Sequence, residues 1–416
     1  LTVTKRADYL VGGFRISIGS NSNTPGPRTH IVNFIEALQI AGIEVTLTLA
    51  SSLPFLGRFA RVRQSDYGGV SNAKIRIADA IRIGAGLWSG LCTFVRTARS
   101  PRPHFIYERA AVLQSLTSFH RWKHATIRVV EANGILSRET AHDRKVLRAE
   151  KLAALIERHV LRRADLVISV SRPLAEEIVR FAAVDPSKIL VLPNGVRKSL
   201  TLVPRSPRSP GRVVIGFVGS VVAWQHLDVF LAAVKACREQ ILRETGARIA
   251  VEIVGEGGDL ERLQSLSREE GWENVAFLGR LSHAEAVERI ATWHVGFAGH
   301  TKSSSSEMYH SPLKIYEYAA LGLSVVCTPS GDAAALKSSG SDVHIFTDWT
   351  ALPDALRAAL LRATSNDEAR IRTQRESVGE HHSWDARVEE FLARLAHVTR
   401  SRSASRRRKP IDLAAL

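Results

Sequence analysis

Negative charge is scarce in this 416-residue chain. Its 41 Asp and Glu stand against 57 Lys and Arg, for a net charge of +16. A chain so basic suits phosphate-bearing partners such as nucleotides, anionic lipid surfaces or nucleic acid. Cysteine is scarcer still: Cys92, Cys237 and Cys327 lie far apart, with no C-x-x-C spacing. That excludes a disulfide framework or a cysteine zinc site, makes buried small apolar residues the plain reading, and points to a reducing cytosol. No uninterrupted apolar run reaches the length of a bilayer-spanning helix, and no charged-then-apolar secretory segment opens the sequence. Trp224, His226, His283 and His294 are scattered without metal-ligand spacing.

What is present describes a globular α/β protein. Hydrophobic residues make up 45% and charged residues 24%, ordinary values for a packed chain long enough for two domains. Short β-branched runs alternate with longer amphipathic stretches. FRISIG (Phe14–Gly19) reads as the first strand, THIVNFIEALQIAG (Thr29–Gly42) as a helix stopped by Gly42, IEVTLTLA as a strand, and Lys74–Arg99 as a helix with a long apolar stripe. HFIYER, IRVVEAN and DLVISVS continue as strands. This β-α-β-α order implies a mostly parallel sheet with helices on both faces.

The Pro- and Ser/Arg-rich stretch Ser199–Arg212 breaks the rhythm and reads as a linker. The pattern then restarts with VVIGFVG (Val213–Gly219). The expected layout is a first Rossmann-like domain over 1–199, a linker over 200–212 and a second domain over 213–382. A closing helix over 383–399, capped by Ser383 or Asp385, crosses back towards the first domain. A basic Ser/Arg tail over 400–416 reads as disordered. Two such doubly wound sheets would face each other across a cleft, with ligands beyond the carboxyl ends of the strands.

One stretch concentrates chemistry: HSPLKIYEYAALGLSVV, His310–Val326. Ser311 can cap a helix and Pro312 suits its first position. The N–H groups of Leu313 and Lys314 then lie at the positive end of the helix, where phosphate binds, and Lys314 adds a cation. Glu317 lies one turn on, on the same face, where a carboxylate can accept hydrogen bonds from ribose hydroxyls. A plain surface Lys–Glu pair has the same spacing.

The stretch resembles the SPLK-x-x-EY signature of family 4 glycosyltransferases. TPGPRTHIVNFIEALQIAGIEVTL, FIYERAAVL, VVEANG, ADLVISVS, VVIGFVGSVVAW, VEIVGEG and the terminal SW helix follow the family's order along nearly the whole chain before residue 400. The resemblance implies a GT-B fold. It also implies retaining sugar transfer from a nucleotide-diphosphate donor to a hydroxyl acceptor, without metal or other cofactor; no D-x-D occurs in the sequence. It implies that Glu317 holds ribose, and that backbone at Pro312, Leu313 and Lys314 meets the diphosphate. The family's other acid falls at Tyr309, with Glu307 two residues away. The usual Arg and Lys after Gly219 are replaced by Ser220 and His226, so Lys314 or Lys302 would compensate. In the first domain Gly26 fits a loop that approaches the donor phosphate, with Arg28, His30 and Arg109 on the acceptor side. Asn133 stands where relatives carry a His near the reacting sugar, and Glu131 is an alternative polar group on the same strand face.

The expected activity is glycosyl transfer in polysaccharide or glycolipid assembly at the cytoplasmic membrane face. The acceptor would be a sugar, a lipid-linked group or a polysaccharide, and FLGRFARVR (Phe55–Arg63) would be the contact with an anionic membrane. A degenerate GT-B protein that binds nucleotide without transfer is the second reading. An epimerase or phosphorylase lacks its expected residues, and nucleic-acid binding rests on the basic tail alone.

Overall fold

The computed structural model describes residues 5–13, 16–19, 22, 24–50, 71–99, 101–117, 126–205, 211–272, 274–300, 310–365 and 367–407. The chain divides into two compact units, one of residues 1–193 with 387–416 and the other of residues 194–386. Each is built on a six-stranded parallel sheet.

In the first unit the strands are β1 (Lys5–Val11), β2 (Ile43–Leu49), β3 (Phe105–Arg109), β4 (Ile127–Ala132), β5 (Leu166–Ser169) and β6 (Ile189–Val191), ordered β2-β1-β3-β4-β5-β6. They are joined by α1 (Pro25–Ile40), α2 (Asn72–Arg99), the short α3 (Leu136–Arg138), α4 (Glu150–Arg163) and α5 (Arg172–Ala182). The first strand is therefore Lys5–Val11 and not Phe14–Gly19. Phe14 and Arg15 lie outside the described residues, and Ile16–Gly19 form no strand. In KRADYLV only the last five residues are buried, and its charged start hides the β pattern. The expected helices and remaining strands recur with ends shifted by a few residues.

The second unit holds β7 (Arg212–Val218), β8 (Arg248–Val254), β9 (Val275–Gly279), β10 (Val295–Ala298), β11 (Ser324–Cys327) and β12 (Val343–Ile345), ordered β12-β11-β10-β7-β8-β9. Around it pack α6 (Leu227–Thr245), α7 (Leu260–Glu269), α8 (His283–Ile290), α9 (Leu313–Ala320), α10 (Gly331–Ser338), α11 (Leu352–Thr364) and α12 (Glu368–His381). Strand order reverses between β7 and β10, the place where such sheets open a crevice.

Packing in this unit demands glycine at two close approaches. A Cβ on Gly216 of β7 would fall 2.1 Å from the Trp293 ring. That indole is fully buried and donates to Glu252 Oε2 at 2.8 Å, beside the Arg289 guanidinium at 2.6 Å on the same carboxylate. Gly255 has φ +139°, and a Cβ there would lie 1.8 Å from the Gly219 carbonyl oxygen. The GEGG loop thus serves as a backbone brace for the turn after β7.

Part of the expected linker is ordered. Lys198–Leu202 forms a 3-10 turn, and Arg375 of α12 donates to the carbonyls of Thr201 (2.8 Å) and Val203 (2.5 Å). Residues 206–210 lie outside the described set. The last helix, α13 (Trp384–Arg407), starts where Ser383 Oγ accepts from Ala386 N at 3.3 Å. It runs eight residues into the stretch expected to be disordered, because Arg402 reaches Asp165 Oδ2 at 2.5 Å and the Thr126 carbonyl at 3.2 Å. Residues 408–416 lie outside the described set.

Helix α13 completes the core of the first unit. Phe391 is fully buried, edge-on to Phe34 (5.8 Å), Phe105 (5.5 Å) and Tyr107 (5.7 Å). Replacing Phe391 with Ala removes a ring from this aromatic box and is expected to cost about 3–5 kcal/mol. A urea titration followed by circular dichroism checks it. A loss near zero would mean that α13 is not part of the unit's core.

Candidate functional site

The second unit gathers its polar groups at the carboxyl edge of β7 and β10. Helix α9 is held there by its own aromatic side chain: Tyr318 accepts from Val218 N at 3.0 Å, at the end of β7, and donates to the Phe297 carbonyl of β10 at 3.3 Å. Those bonds fix the first turn of α9 beside the Gly219 turn.

The expected cap geometry is corrected by one residue. The helix begins at Leu313, so Pro312 is its N-cap and Ser311 lies outside it. The Ser311 hydroxyl accepts from Asn194 N at 2.9 Å and donates to Asp332 Oδ2 at 2.5 Å, while Asn194 Nδ2 donates to the Ser311 carbonyl at 2.5 Å. Ser311 is therefore a tether between three segments, and no side chain caps α9. Pro312 and Leu313 are half-buried at the start of the helix, where the first N–H groups have no intrahelical acceptor.

Lys314 and Glu317 lie one turn apart on α9, each partly accessible yet surrounded by protein on most sides. Burial pushes the Lys314 ammonium down to about 7, against the pull of Glu317, and pushes the Glu317 carboxyl up to about 7, against the pull of Lys314. The directions follow from desolvation, which disfavours the charged form of each. Lys314 Nζ sits 4.0 Å from the Phe217 ring centroid and donates to Gln225 Oε1 at 3.3 Å. A Cβ on Gly219, whose φ is +141°, would lie 3.2 Å from that Nζ.

Ser220 is exposed, one residue beyond Gly219. His226 has φ +47°, caps α6 and packs 4.6 Å from the Trp349 ring. His300, just after β10, joins the site without having been singled out as a candidate. Burial, then the Lys314 and His310 charges, lower its imidazole to about 3, and its buried Nδ1 has no hydrogen-bond partner among the described residues. The signal that could have found it was a polar residue at the carboxyl end of a buried strand. Gln225 and Phe217, which hold Lys314, were missed because their spacing to it in the sequence is long. Lys302, Glu307 and Tyr309 lie outside the described residues.

In the first unit the strand register assembles a different cluster. Tyr9 pairs with Tyr107 across β1 and β3, and Arg109 pairs with Glu131 across β3 and β4. The tyrosine rings stack at 4.8 Å. Glu131 is fully buried. Its carboxylate meets Arg109 Nη1, Tyr107 OH (2.8 Å), Asn133 Nδ2 (2.5 Å), His30 Nε2 (3.0 Å) and, at 3.4 Å, Tyr9 OH. Burial alone would raise this carboxyl, but the Arg109 charge and the His30 and Asn133 contacts hold it far below the usual carboxylate range.

Glu131 is thus the hub that brings Asn133, His30 and Arg109 together. Enclosure and these contacts leave it no route to act as a base. Asn133 Nδ2 donates to Glu131 Oε1, which orients the amide and leaves its second N–H and its oxygen for other partners. His30 is buried inside α1 and is no solvated helix-end residue. Gly26 lies in the first turn of α1 with open space around it, and is no separate loop, because the helix already starts at Pro25. Arg28 Nε donates to the carbonyls of Ile18 (3.0 Å) and Gly19 (2.8 Å), pinning the segment before the helix. Among the described residues no group of three His, Cys, Asp or Glu side chains is placed to hold a metal ion.

Comparison with known proteins gives this geometry a setting. Residues 25–195 match the family described as Glycosyl transferase 4-like domain, and residues 212–366 match Glycosyl transferases group 1. No curated protein sequence matches significantly. Among solved structures, a sucrose-phosphate synthase from Thermosynechococcus elongatus superposes with a TM-score of 0.65 at 14% identity, covering 95% of this chain and 100% of the other. Anabaena HepE in complex with UDP gives 0.59 at 15% identity over 93% and 99%. WaaG, a glycosyltransferase involved in lipopolysaccharide biosynthesis, gives 0.58 at 12% over 94% and 98%. At such identities the structures testify to the fold alone; the two domain matches in succession show that residues 25–195 belong to the Glycosyl transferase 4-like domain family and residues 212–366 to the Glycosyl transferases group 1 family.

Proposed function

We propose that the protein transfers a sugar, with retention and without a metal ion, from a nucleotide-diphosphate donor to a hydroxyl acceptor in polysaccharide or glycolipid assembly. The observation that carries this reading is the desolvated Lys314–Glu317 pair at the start of α9, beside the Gly219 turn. A pyrophosphate suits that place: Lys314 supplies a cation, and the first N–H groups of α9 supply donors and the positive end of a dipole. Glu317, one turn on, accepts from the ribose hydroxyls. The UDP bound by HepE, a structural relative, supports a nucleotide donor.

The bond from the sugar's anomeric carbon to the diphosphate oxygen breaks with the electron pair leaving on phosphate, where Lys314 and the helix end stabilise it. The acceptor oxygen bonds to the same face of that carbon, and its proton passes to the departing phosphate oxygen. No protein base is needed, which agrees with the sequestered state of Glu131. Glu131 acts as a positioning residue for Asn133, His30 and Arg109, and WaaG's part in lipopolysaccharide biosynthesis supports a glycolipid or polysaccharide acceptor.

Lys314→Ala and Glu317→Ala are each expected to lower sugar transfer about a hundredfold or more, measured by release of nucleoside diphosphate across a panel of nucleotide-sugars with soluble acceptors. A parent protein that binds nucleoside diphosphate but transfers from no donor would instead favour a degenerate, binding-only protein.

The affinity for UDP, followed by calorimetry, is expected to peak near pH 7. Binding needs Lys314 charged and Glu317 ionised. Above about 7 the free Lys314 has lost its proton and must regain it, so affinity falls. Below about 7 Glu317 is protonated, and affinity falls again. Lys314→Arg should abolish the basic limb and Glu317→Gln the acidic one; a flat profile in the parent would contradict the pairing.

Glu131→Gln is expected to remove stability that the ionised carboxylate contributes above its unfolded value and that is lost as pH falls through the acid range. The gap in unfolding free energy between parent and variant should therefore be widest near neutral pH and narrow towards pH about 3. An equal gap at both pH values would remove the electrostatic role.

A further inference from the structure

His300 lies just past β10, and the roles given to Lys314 and Glu317 leave it without one. The backbone that carries it is firmly held. A Cβ on Gly299 would fall 2.8 Å from the Trp349 ring, and Trp349 itself packs on Phe346 (5.1 Å) and His226 (4.6 Å). One residue earlier, Ala298 is buried where β10 makes its last pairing with β11, at Cys327, and its carbonyl accepts from Thr328 N at 3.4 Å. The sheet therefore delivers the imidazole to the carboxyl edge where strand order reverses. The Gly219 turn and the first turn of α9 lie on the same edge.

The ring is enclosed but unsatisfied. Its Nδ1 is buried with no hydrogen-bond partner among the described residues. The Ala298 carbonyl is near enough to favour the charged ring, yet it is not placed to accept from that nitrogen. Buried polar atoms are nearly always paired, because an orphan loses its hydration and gains nothing in return. The charges that act on the ring most, those of Lys314 and His310, add to burial in keeping it neutral. A neutral imidazole still carries one N–H. What these surroundings lack is an acceptor with negative charge.

A nucleoside diphosphate supplies one. Its pyrophosphate carries more than one negative charge, and more acceptor oxygens than a single ammonium and the first N–H groups of α9 satisfy. On the β7 side the Gly219 turn adds no cation: Ser220 is exposed and uncharged, and His226 is turned against Trp349. A further donor fits on the β10 side, and the orphaned nitrogen of His300 is there.

We propose that His300 is a ligand of the donor's diphosphate, its Nδ1–H donating to a phosphate oxygen beside Lys314. This rests on the reading of the Lys314–Glu317 pair as a nucleotide-diphosphate site, and it adds a phosphate ligand from a second element. Without ligand the nitrogen is unpaired, so binding gains a hydrogen bond to a charged acceptor at little cost in ordering, the ring being already enclosed. An anion beside the ring also offsets the Lys314 charge that acts on it.

The test is calorimetry on the full chain with UDP, GDP and ADP, and with the nucleoside of whichever diphosphate binds tightest. An Asn amide nitrogen reaches the place of Nδ1, a Gln amide nitrogen that of Nε2, and Leu offers no donor. His300→Leu and His300→Gln are each expected to weaken diphosphate binding about tenfold or more, while His300→Asn stays within about threefold of the parent. Affinity for the nucleoside should be unchanged in all three variants. Without ligand, His300→Leu should melt at the parent's temperature or above it, because it removes an unsatisfied buried atom. The diphosphate should then raise its melting temperature by less than it raises the parent's.

Diphosphate binding unaltered in His300→Leu, with Lys314→Ala still weakening it, overturns the role of His300 and leaves the Lys314–Glu317 site standing. So does an equal loss of affinity for nucleoside and diphosphate, or a ligand-free His300→Leu that melts well below the parent; either makes the imidazole a packing residue. His300→Asn as weak as His300→Leu overturns it too. A parent that binds none of the three diphosphates removes the Lys314–Glu317 site and the role of His300 together.

Discussion

Parallel strand pairing is the constraint from which the site follows. Parallel strands cannot be joined by hairpins, so each crosses back through a helix, and every strand of a sheet delivers its last residue to the same edge. In the second unit that edge collects the turn after β7, His300 after β10 and the first turn of α9. In the first it collects Arg109 at the end of β3 and Asn133 just past β4. Residues distant in the chain become neighbours there without any local signal requiring it.

The two units use buried polarity in opposite ways. Glu131 is enclosed but saturated, and its surplus of donors keeps it ionised and immobile. Such a network fixes geometry. Lys314 and Glu317 are desolvated with few partners, and each is pushed towards neutrality. A group in that condition gains most from a ligand that restores its charge, which is the physical ground for proposing the pair as a binding site. The tethers of Ser311 and Tyr318 keep α9 in place while its first turn stays available.

Much of the fold was legible because the β-branched runs are buried on both faces and therefore almost uninterrupted, as in VVIGFVG and DLVISVS. The first strand was not, since KRADYLV begins with charge and only its last five residues are buried. The extent of α13 was obscured by composition: a Ser/Arg sequence reads as disordered, yet Arg402 finds Asp165. Within the site, Lys314 and Glu317 were legible from their spacing on one helix. The roles of Ser311, His300 and Glu131 were not, because each depends on partners from distant segments.

The sequence by itself determined the alternation of strand and helix, the basic balance of charge and the Lys314–Glu317 spacing, since these depend only on residue order and local periodicity. Tertiary structure decided what those groups are. Register set Arg109 against Glu131 and made a candidate polar group into a fixed anion. Burial drew Lys314 and Glu317 towards neutrality, and packing turned only one side of α2 inward. The physical reason is the same in each case: the charge state and exposure of a side chain depend on neighbours that arrive only when the sheet closes.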